Sequence, residues 1–185
     1  MRIPFVQSKN YSKGRRGKTV RLIVIHTMET PETKGRAKQV ASWFAGKTAP
    51  DASAHYCIDD INVIITVDEK DTAWATGVSE VNQVSISLEL AGQARQTNAQ
   101  WQDKYSQGVL KNAAVLTATL CKKYNIPIKH LIGSSVKTGK GICGHADITK
   151  GYDVAGGHSD PGRNFPWSDF MELVQDETNR LKGKN

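Results

Sequence analysis

The hydrophobic residues fall into several short runs with strand-like spacing. Residues 21–27 (RLIVIHT) form an almost unbroken run of aliphatic side chains, which is typical of a strand buried on both faces of a sheet. Residues 53–58 (SAHYCI) and 63–68 (VIITVD) predict two more strands, and the polar residues 59–62 between them predict a hairpin turn. These segments indicate that a sheet forms the centre of the fold.

A fourth predicted strand, residues 84–90 (VSISLEL), has two chemically different faces. Its aliphatic side chains alternate with Ser85, Ser87 and Glu89, so the polar side chains share one face. Glu89 is therefore either an ordinary solvent-facing carboxylate or part of a site on that face.

Three further segments have the three- and four-residue spacing of helices. Residues 34–46 predict a helix that stops at Gly46, and a longer amphipathic helix passes through Leu110 and Tyr124 before Pro127 ends it. The last predicted helix covers residues 166–181, with Ser168 as its N-cap.

Residues 129–165 have little periodicity and predict loops around a short strand or turn. Strands and helices interleave along the chain, which is typical of an α/β fold. The sequence therefore predicts one domain over residues 1–185, with a mixed central sheet flanked by helices and residues 1–20 as an irregular basic leader.

The chain carries a strong positive charge. Its 185 residues include 25 Lys and Arg against 18 Asp and Glu, which gives a formal net charge of +7. Such a charge indicates either a solvated face or a polyanionic partner, for which nucleic acid, a membrane surface and an anionic cell wall are candidates. The basic residues concentrate in two segments: Lys9, Lys13, Arg15, Arg16 and Lys18, then Lys122, Lys123, Lys129, Lys137 and Lys140.

Composition also bears on where the protein acts. No apolar run approaches the ~20 residues that cross a bilayer, and the N-terminus lacks the apolar segment of a secretory signal. We therefore expect cytoplasmic synthesis without a signal peptide, no stable membrane insertion, and a monomer by default. The three dispersed cysteines, Cys57, Cys121 and Cys143, predict free thiols.

Histidines and an aspartate stand where ligands commonly bind. His26 ends the first predicted strand, at the rim where open α/β sheets place their ligands, although taken alone it is more typical of a buried core histidine. His145 lies in GICGHADI, while His158 and Asp160 lie in GGHSDPG, which by itself predicts an ordinary turn. Catalytic zinc commonly has three protein ligands, but spacing alone does not choose among the three later residues.

Five segments together resemble a known family. VIHTM (24–28), SAHYCID (53–59), SISLELAG (85–92), CGHADI (143–148) and HSDPGRNFPW (158–167) occur in the order found in zinc-dependent N-acetylmuramoyl-L-alanine amidases. This family is shared with phage lysozyme-type amidases and peptidoglycan recognition proteins. The resemblance covers residues 20 to 170 and implies the fold of that family.

The resemblance implies a role for each matched residue. The zinc ligands would be His26, His145 and Asp160, and the catalytic glutamate would be Glu89. Many members have a lysine two residues before the third ligand, whereas this chain has His158, which would donate a hydrogen bond to the oxyanion.

Other positions are less directly matched. Lysozyme-type members have a tyrosine where this chain has Ala54, a loss that is expected when a glutamate handles the proton. Trp74 and His55 are the candidate substrate-binding residues, although His55 is alternatively a structural residue behind the metal site.

The function implied is hydrolysis of the amide bond between N-acetylmuramic acid and L-alanine in peptidoglycan, by a phage endolysin that reaches the wall after a membrane breach. A cytoplasmic amidase for recycled muropeptides and a non-catalytic peptidoglycan recognition module are alternatives. Non-catalytic members usually lack part of the metal set, which this chain retains. Nucleic-acid binding would explain the charge but not the His, Asp and Glu residues.

Overall fold

The computed structural model of the chain describes residues 3–183, which are built around a five-stranded sheet. The strands are β1 Tyr11–Ser12, β2 Leu22–Thr27, β3 Tyr56–Ile58, β4 Val63–Ile65, β5 Thr72–Ala73, β6 Ser85–Leu90 and β7 Gly141–Gly144. The main sheet has the order β4-β3-β6-β2-β7, with β4 antiparallel to β3 and the other pairs parallel. The predicted mixed sheet and the hairpin at 59–62 are confirmed.

Helices cover both faces of this sheet. They are α1 Arg36–Ala45, α2 Ser79–Val84, α3 Asn98–Trp101, α4 Lys104–Tyr124, α5 His145–Gly151 and α6 Trp167–Lys182, with a 3-10 helix at Gly133–Val136. α4 and α6 pack against each other and against the face of β2 that carries Ile23 and Ile25. α2, α5 and the 3-10 helix cover the opposite face, which carries Leu22 and Val24, while α1 covers β3 and β4.

The short helices were not predicted. α2, α3 and α5 have six, four and seven residues, too few for a hydrophobic period to be visible. The prediction of Ser168 as an N-cap is wrong, because α6 begins at Trp167 after Pro166, with no side-chain cap. The prediction that Gly46 stops α1 is confirmed.

The leader is more ordered than its composition suggested. β1 pairs with β5, and Arg15 is buried rather than part of an exposed basic cluster. The Arg15 guanidinium donates to the backbone carbonyls of Glu69, Gln83 and Ser85 at 2.7–3.0 Å. Buried backbone carbonyls need hydrogen-bond donors, and Arg15 supplies them. These hydrogen bonds connect the leader to the sheet.

The polar face of β6 is not exposed to solvent. β6 lies between β3 and β2, and Ser85 and Ser87 are fully buried.

Within residues 3–183, no helix is both long and apolar enough to cross a membrane. The cysteines are buried free thiols, as predicted.

Candidate metal centre and catalytic cavity

The topology brings the predicted site residues to one edge of the sheet. β2 and β6 are parallel and in register, so that His26 pairs directly with Glu89. β7 is parallel to β2 on its other side, and His145 follows its last residue as the first residue of α5. The carboxyl ends of three adjacent strands therefore present His26, Glu89 and His145 together.

The loop that carries Asp160 docks onto this edge. The Ala146 amide, in the first turn of α5, donates to the Asp160 carbonyl at 2.8 Å. A side chain at Gly144 would meet Pro161 Cδ at 2.7 Å, so the absence of a side chain there permits the approach. Gly162 has a φ of 95°, and a Cβ on it would overlap the Ala94 carbonyl.

Three side-chain atoms form a compact donor set. His26 Nδ1 lies 3.2 Å from His145 Nδ1 and 3.2 Å from Asp160 Oδ2, and His145 Nδ1 lies 3.2 Å from Asp160 Oδ1. All three residues are at least 94 % buried. Burial raises the pKa of Asp160, but when His145 and His26 are protonated their hydrogen bonds and charges outweigh this effect and hold that pKa below its usual range.

The tautomer of His145 is set by its surroundings. His145 Nε2 lies 3.2 Å from the Thr76 carbonyl, which only accepts hydrogen bonds. The neutral ring therefore carries its proton on Nε2 and directs the Nδ1 lone pair toward His26 and Asp160. Burial lowers the pKa of His26, which favours its neutral form as well.

This donor set suits a zinc ion. Bonds of about 2.0–2.1 Å in a tetrahedral site place neighbouring ligand atoms roughly 3.3 Å apart, which the three 3.2 Å separations match. Two imidazole nitrogens and one carboxylate also leave a fourth position for water or substrate. The three residues that the family resemblance implied as ligands are the three that the structure groups together.

Glu89 lies beside the donor set with an unsatisfied carboxylate. Its Oε2 is enclosed and finds no hydrogen-bond partner among residues 3–183. Burial, and then the negative charges of Asp160 and Glu29, raise the pKa of Glu89 well above that of an ordinary carboxyl group. A carboxylate with such a raised pKa is suited to accept and return a proton near neutral pH.

His158 lies at the mouth of the site. Its side chain is 70 % exposed, and its ring stacks on His145 with centroids 4.3 Å apart and planes inclined by 13°. His158 Nδ1 is 3.6 Å from Asp160 Oδ1, which is outside hydrogen-bond distance. This side chain is free to face a substrate rather than committed to the donor set.

A cavity of about 320 Å³ opens over these residues. Trp74 lines it, half-exposed, and its indole Nε1 donates to Ser12 Oγ at 2.9 Å. This hydrogen bond from the leader fixes the orientation of the Trp74 ring. The role of Trp74 in substrate binding remains a prediction.

His55 does not lie in this cavity. It is fully buried, its Nδ1 accepts from the Ser87 amide at 3.0 Å, and its Nε2 lies 2.9 Å from the Arg15 guanidinium. Direct contact between His55 and a substrate, one of the two roles considered from the sequence, is incompatible with this burial. His55 instead lies behind the catalytic edge, where its Nε2–H faces the Asp71 carbonyl at 3.3 Å.

Sequence reasoning missed Glu29 and its surroundings. Glu29 lines the catalytic cavity and a second one of about 450 Å³, whose other charged side chains are Arg95 and Arg163. Glu29 Oε1 accepts from Thr27 Oγ1 at 2.5 Å and from the Ala94 amide at 2.8 Å. Nothing in the local sequence signals this adjoining cavity, because it forms only when two distant loops meet.

The carboxyl edge of this α/β sheet gathers two histidines and an aspartate that could hold a metal ion, beside a half-buried glutamate, which is an arrangement suited to a hydrolase. The model of the N-acetylmuramoyl-L-alanine amidase family, Amidase_2, matches residues 16–163, and the chain belongs to this family. It is an N-acetylmuramoyl-L-alanine amidase, as the sequence motifs predicted. No protein of curated function matches the sequence.

Solved structures share the fold at low identity. The hydrolase AmiA of Staphylococcus aureus, in complex with its ligand, superposes with a TM-score of 0.73 at 16 % identity over 100 % of this chain and 86 % of that one. An AmpD derivative gives 0.65 at 22 % identity over 93 % and 94 % of the two chains. The structure of PlyL gives 0.61 at 18 % identity over 94 % and 97 %. These likenesses confirm the predicted fold class.

Proposed function

We propose that the protein is a zinc-dependent endolysin that hydrolyses the amide bond between N-acetylmuramic acid and L-alanine in the host cell wall. The observation that carries the zinc dependence is the donor set of His26, His145 and Asp160, buried and separated by 3.2 Å. A zinc ion bound there would lower the pKa of a bound water and polarise the lactyl carbonyl.

Glu89 moves the proton in this proposal. Its enclosed Oε2 is on hand to accept a proton from the attacking water and to return it to the departing L-alanine nitrogen. No group among residues 3–183 donates a hydrogen bond to that oxygen, so Oε2 is free for the reaction.

His158 contributes from the cavity mouth. Its ring stacks on His145 and its side chain is exposed, which supports the proposal that His158 would donate a hydrogen bond to the developing oxyanion. The lysine found at this position in many family members would supply the same donor.

The two cavities suggest the direction in which the substrate lies. The catalytic cavity has Trp74 on its wall, a surface on which a sugar ring stacks, whereas the adjoining cavity presents Arg95 and Arg163. Arginine suits carboxylates, so the stem peptide would extend toward these two residues and the muramoyl group toward Trp74. Loss of preference for acidic over amidated stem peptides in an Arg95→Ala/Arg163→Ala variant would support this direction.

The endolysin role draws on likeness and charge. Among the solved structures that share the fold are a mutant endolysin from Bacillus subtilis and the amidase LysC of Clostridium intestinale. A net charge of +7 favours an anionic wall over the small soluble fragments that a recycling amidase would cleave. We propose a monomer that does not insert into membranes, does not need nucleic acid, and acts on the wall after release.

The test is digestion of purified peptidoglycan with identification of the new ends by mass spectrometry. The proposal expects intact glycan strands and stem peptides that begin with a free L-alanine amine. Cleavage that stops with a chelator and resumes with zinc would support zinc dependence. Wall that is bound but never cut would instead support a recognition module.

A further inference from the structure

Two basic segments that are far apart in the sequence meet at one cavity. Lys18 from the leader and Lys123 and Lys140 from the second basic segment line a cavity of about 720 Å³, together with Lys70. All four lysines are exposed. The four ammonium groups outnumber the two carboxylates of the lining, Asp68 and Glu69, so the concave surface has a net positive potential.

This lysine cavity lies at the edge of the sheet opposite the catalytic cavity. Lys140 immediately precedes β7 and Lys18 lies shortly before β2, whereas His145 and His26 lie at the far ends of the same strands. β2 and β7 are parallel, so their amino ends share one edge. A six-residue strand spans roughly 20 Å, which separates the two surfaces.

The acidic residues of the lysine cavity are already paired. Glu69 accepts from the hydroxyls of Tyr56 and Tyr124 at 2.7 and 2.6 Å and pairs with Lys123 at 3.2 Å. Asp68 pairs with Lys70 at 3.2 Å. Among residues 3–183, neither Lys18 nor Lys140 forms an ion pair, so their charges are available to a ligand.

The chemistry of the lining favours a flexible phosphodiester polymer without bases over a nucleic acid. Exposed lysines act as point charges without a preferred orientation. The one arginine, Arg15, is buried with its donors on backbone carbonyls, and Lys123 Nζ lies over the Tyr124 ring, 5.4 Å from its centroid. The lining therefore offers neither the arginine forks nor the free aromatic faces that nucleic-acid sites use.

We propose that the lysine cavity binds the phosphodiester polymer of an anionic cell wall and holds the enzyme on the wall while the opposite edge cleaves. This inference rests on the proposed function, because it assigns that function's wall attachment to a defined surface. The lysine cavity and the catalytic cavity can bind their ligands at the same time, since they lie at opposite edges of the sheet.

The test compares the double variant Lys18→Glu/Lys140→Glu with a matched control, Lys38→Glu/Lys104→Glu. The control makes the same charge change at exposed positions in the first turns of α1 and α4. Three probes are used at several salt concentrations: walls that retain their glycerol-phosphate polymer, the same walls after chemical removal of that polymer, and a single-stranded DNA oligonucleotide. Thermal melts establish that both variants are folded.

We expect the Lys18/Lys140 variant to bind polymer-bearing walls at least about tenfold more weakly, with a flatter salt dependence, while the control binds like the parent. On polymer-free walls both variants should release peptide at the parent rate. Equal wall binding by the two variants would overturn the inference, and so would tighter binding of the parent to DNA than to the polymer. Absence of amidase cleavage on polymer-free walls would instead refute the proposed function.

Discussion

The Nδ1 atoms of His26 and His145 lie 3.2 Å apart and both face the carboxylate of Asp160. The Thr76 carbonyl holds the proton of His145 on Nε2, so His145 directs a lone pair into this space. Two ring nitrogens and a carboxylate that converge in a buried site are suited to bind a metal cation. The proposed catalysis therefore depends on a zinc ion at this point.

Removal of one ligand should abolish stabilisation by zinc. Zinc at about 100 times its dissociation constant stabilises a native protein by ~2.7 kcal/mol, which corresponds to roughly 5–10 °C in a domain of this size. We expect this rise in Tm for the parent and none for Asp160→Ala, as measured by calorimetry with and without zinc. The exposed Asp153→Ala variant is the control, and an equal rise in Asp160→Ala would remove Asp160 from the ligand set.

Replacement of Glu89 by glutamine should abolish activity without unfolding the protein. Loss of a positioned general base typically lowers rates by about 10²–10⁴-fold. An amide has no charge to bury, so the metal-free variant should melt at the same temperature as the parent or higher. Activity and melting measurements on Glu89→Gln, with the exposed Glu80→Gln as control, check both expectations. Activity close to that of the parent would assign the proton transfer to another residue.

His158 is expected to affect turnover rather than zinc binding. His158→Ala should lower kcat by about 10–100-fold, with KM nearly unchanged, because the lost hydrogen bond forms in the transition state. His158→Lys, which restores the residue common in the family, should recover most of the rate. If His158→Ala instead weakens zinc binding as much as a ligand variant does, then His158 belongs to the metal site.

Gly162 holds the Asp160 loop in place. An alanine there adopts an unfavourable φ of 95° and overlaps the Ala94 carbonyl, so Gly162→Ala should destabilise the protein by ~2–3 kcal/mol and weaken zinc binding. Gly156 has a φ of 64°, but a Cβ added there would meet nothing within 4 Å, so Gly156→Ala should cost only ~1 kcal/mol. Denaturant unfolding of the two variants measures the difference, and equal costs would show that the overlap is relieved elsewhere.

His55 makes stability depend on pH. Burial and then the Arg15 charge lower the pKa of His55 to about 3, below the ~6.5 of an unfolded histidine. The unfolded chain therefore takes up the proton first as pH falls, so the stabilisation by neutral His55 is complete above pH ~6.5 and is lost as pH falls toward 3, by at most ~1.4 kcal/mol per unit. Urea unfolding of the parent and of His55→Gln at several pH values measures this. The stability difference between them should shrink with acidity, and a constant difference would contradict the assignment.

The sequence predicted those parts of the fold and site that local pattern controls. The run 21–27 placed His26 at a strand end, and the alternation in 84–90 placed Glu89 on a polar face, since side-chain direction in a strand follows position. The choice of His145 and Asp160 among the later residues came from the family resemblance, because the ligand loop has no periodicity.

Other features depend on contacts between distant loops. The Thr76 carbonyl that orients His145, the cavity between Glu29 and Arg163, and the meeting of Lys18 with Lys140 are not visible in local sequence. Arg15 illustrates the same limit, because a basic residue in a polar leader is buried only through carbonyls that β6 and the segments before it supply.

The most direct measurement is a zinc titration of metal-stripped enzyme, with the rate of release of peptides that begin with a free L-alanine amine followed by mass spectrometry. We expect no release without zinc and a linear rise that levels off at one zinc ion per chain. The His26→Ala variant should show no release at the same zinc concentrations. Full activity in the metal-stripped enzyme, or new ends at any other bond, would refute zinc-dependent cleavage of the muramoyl amide.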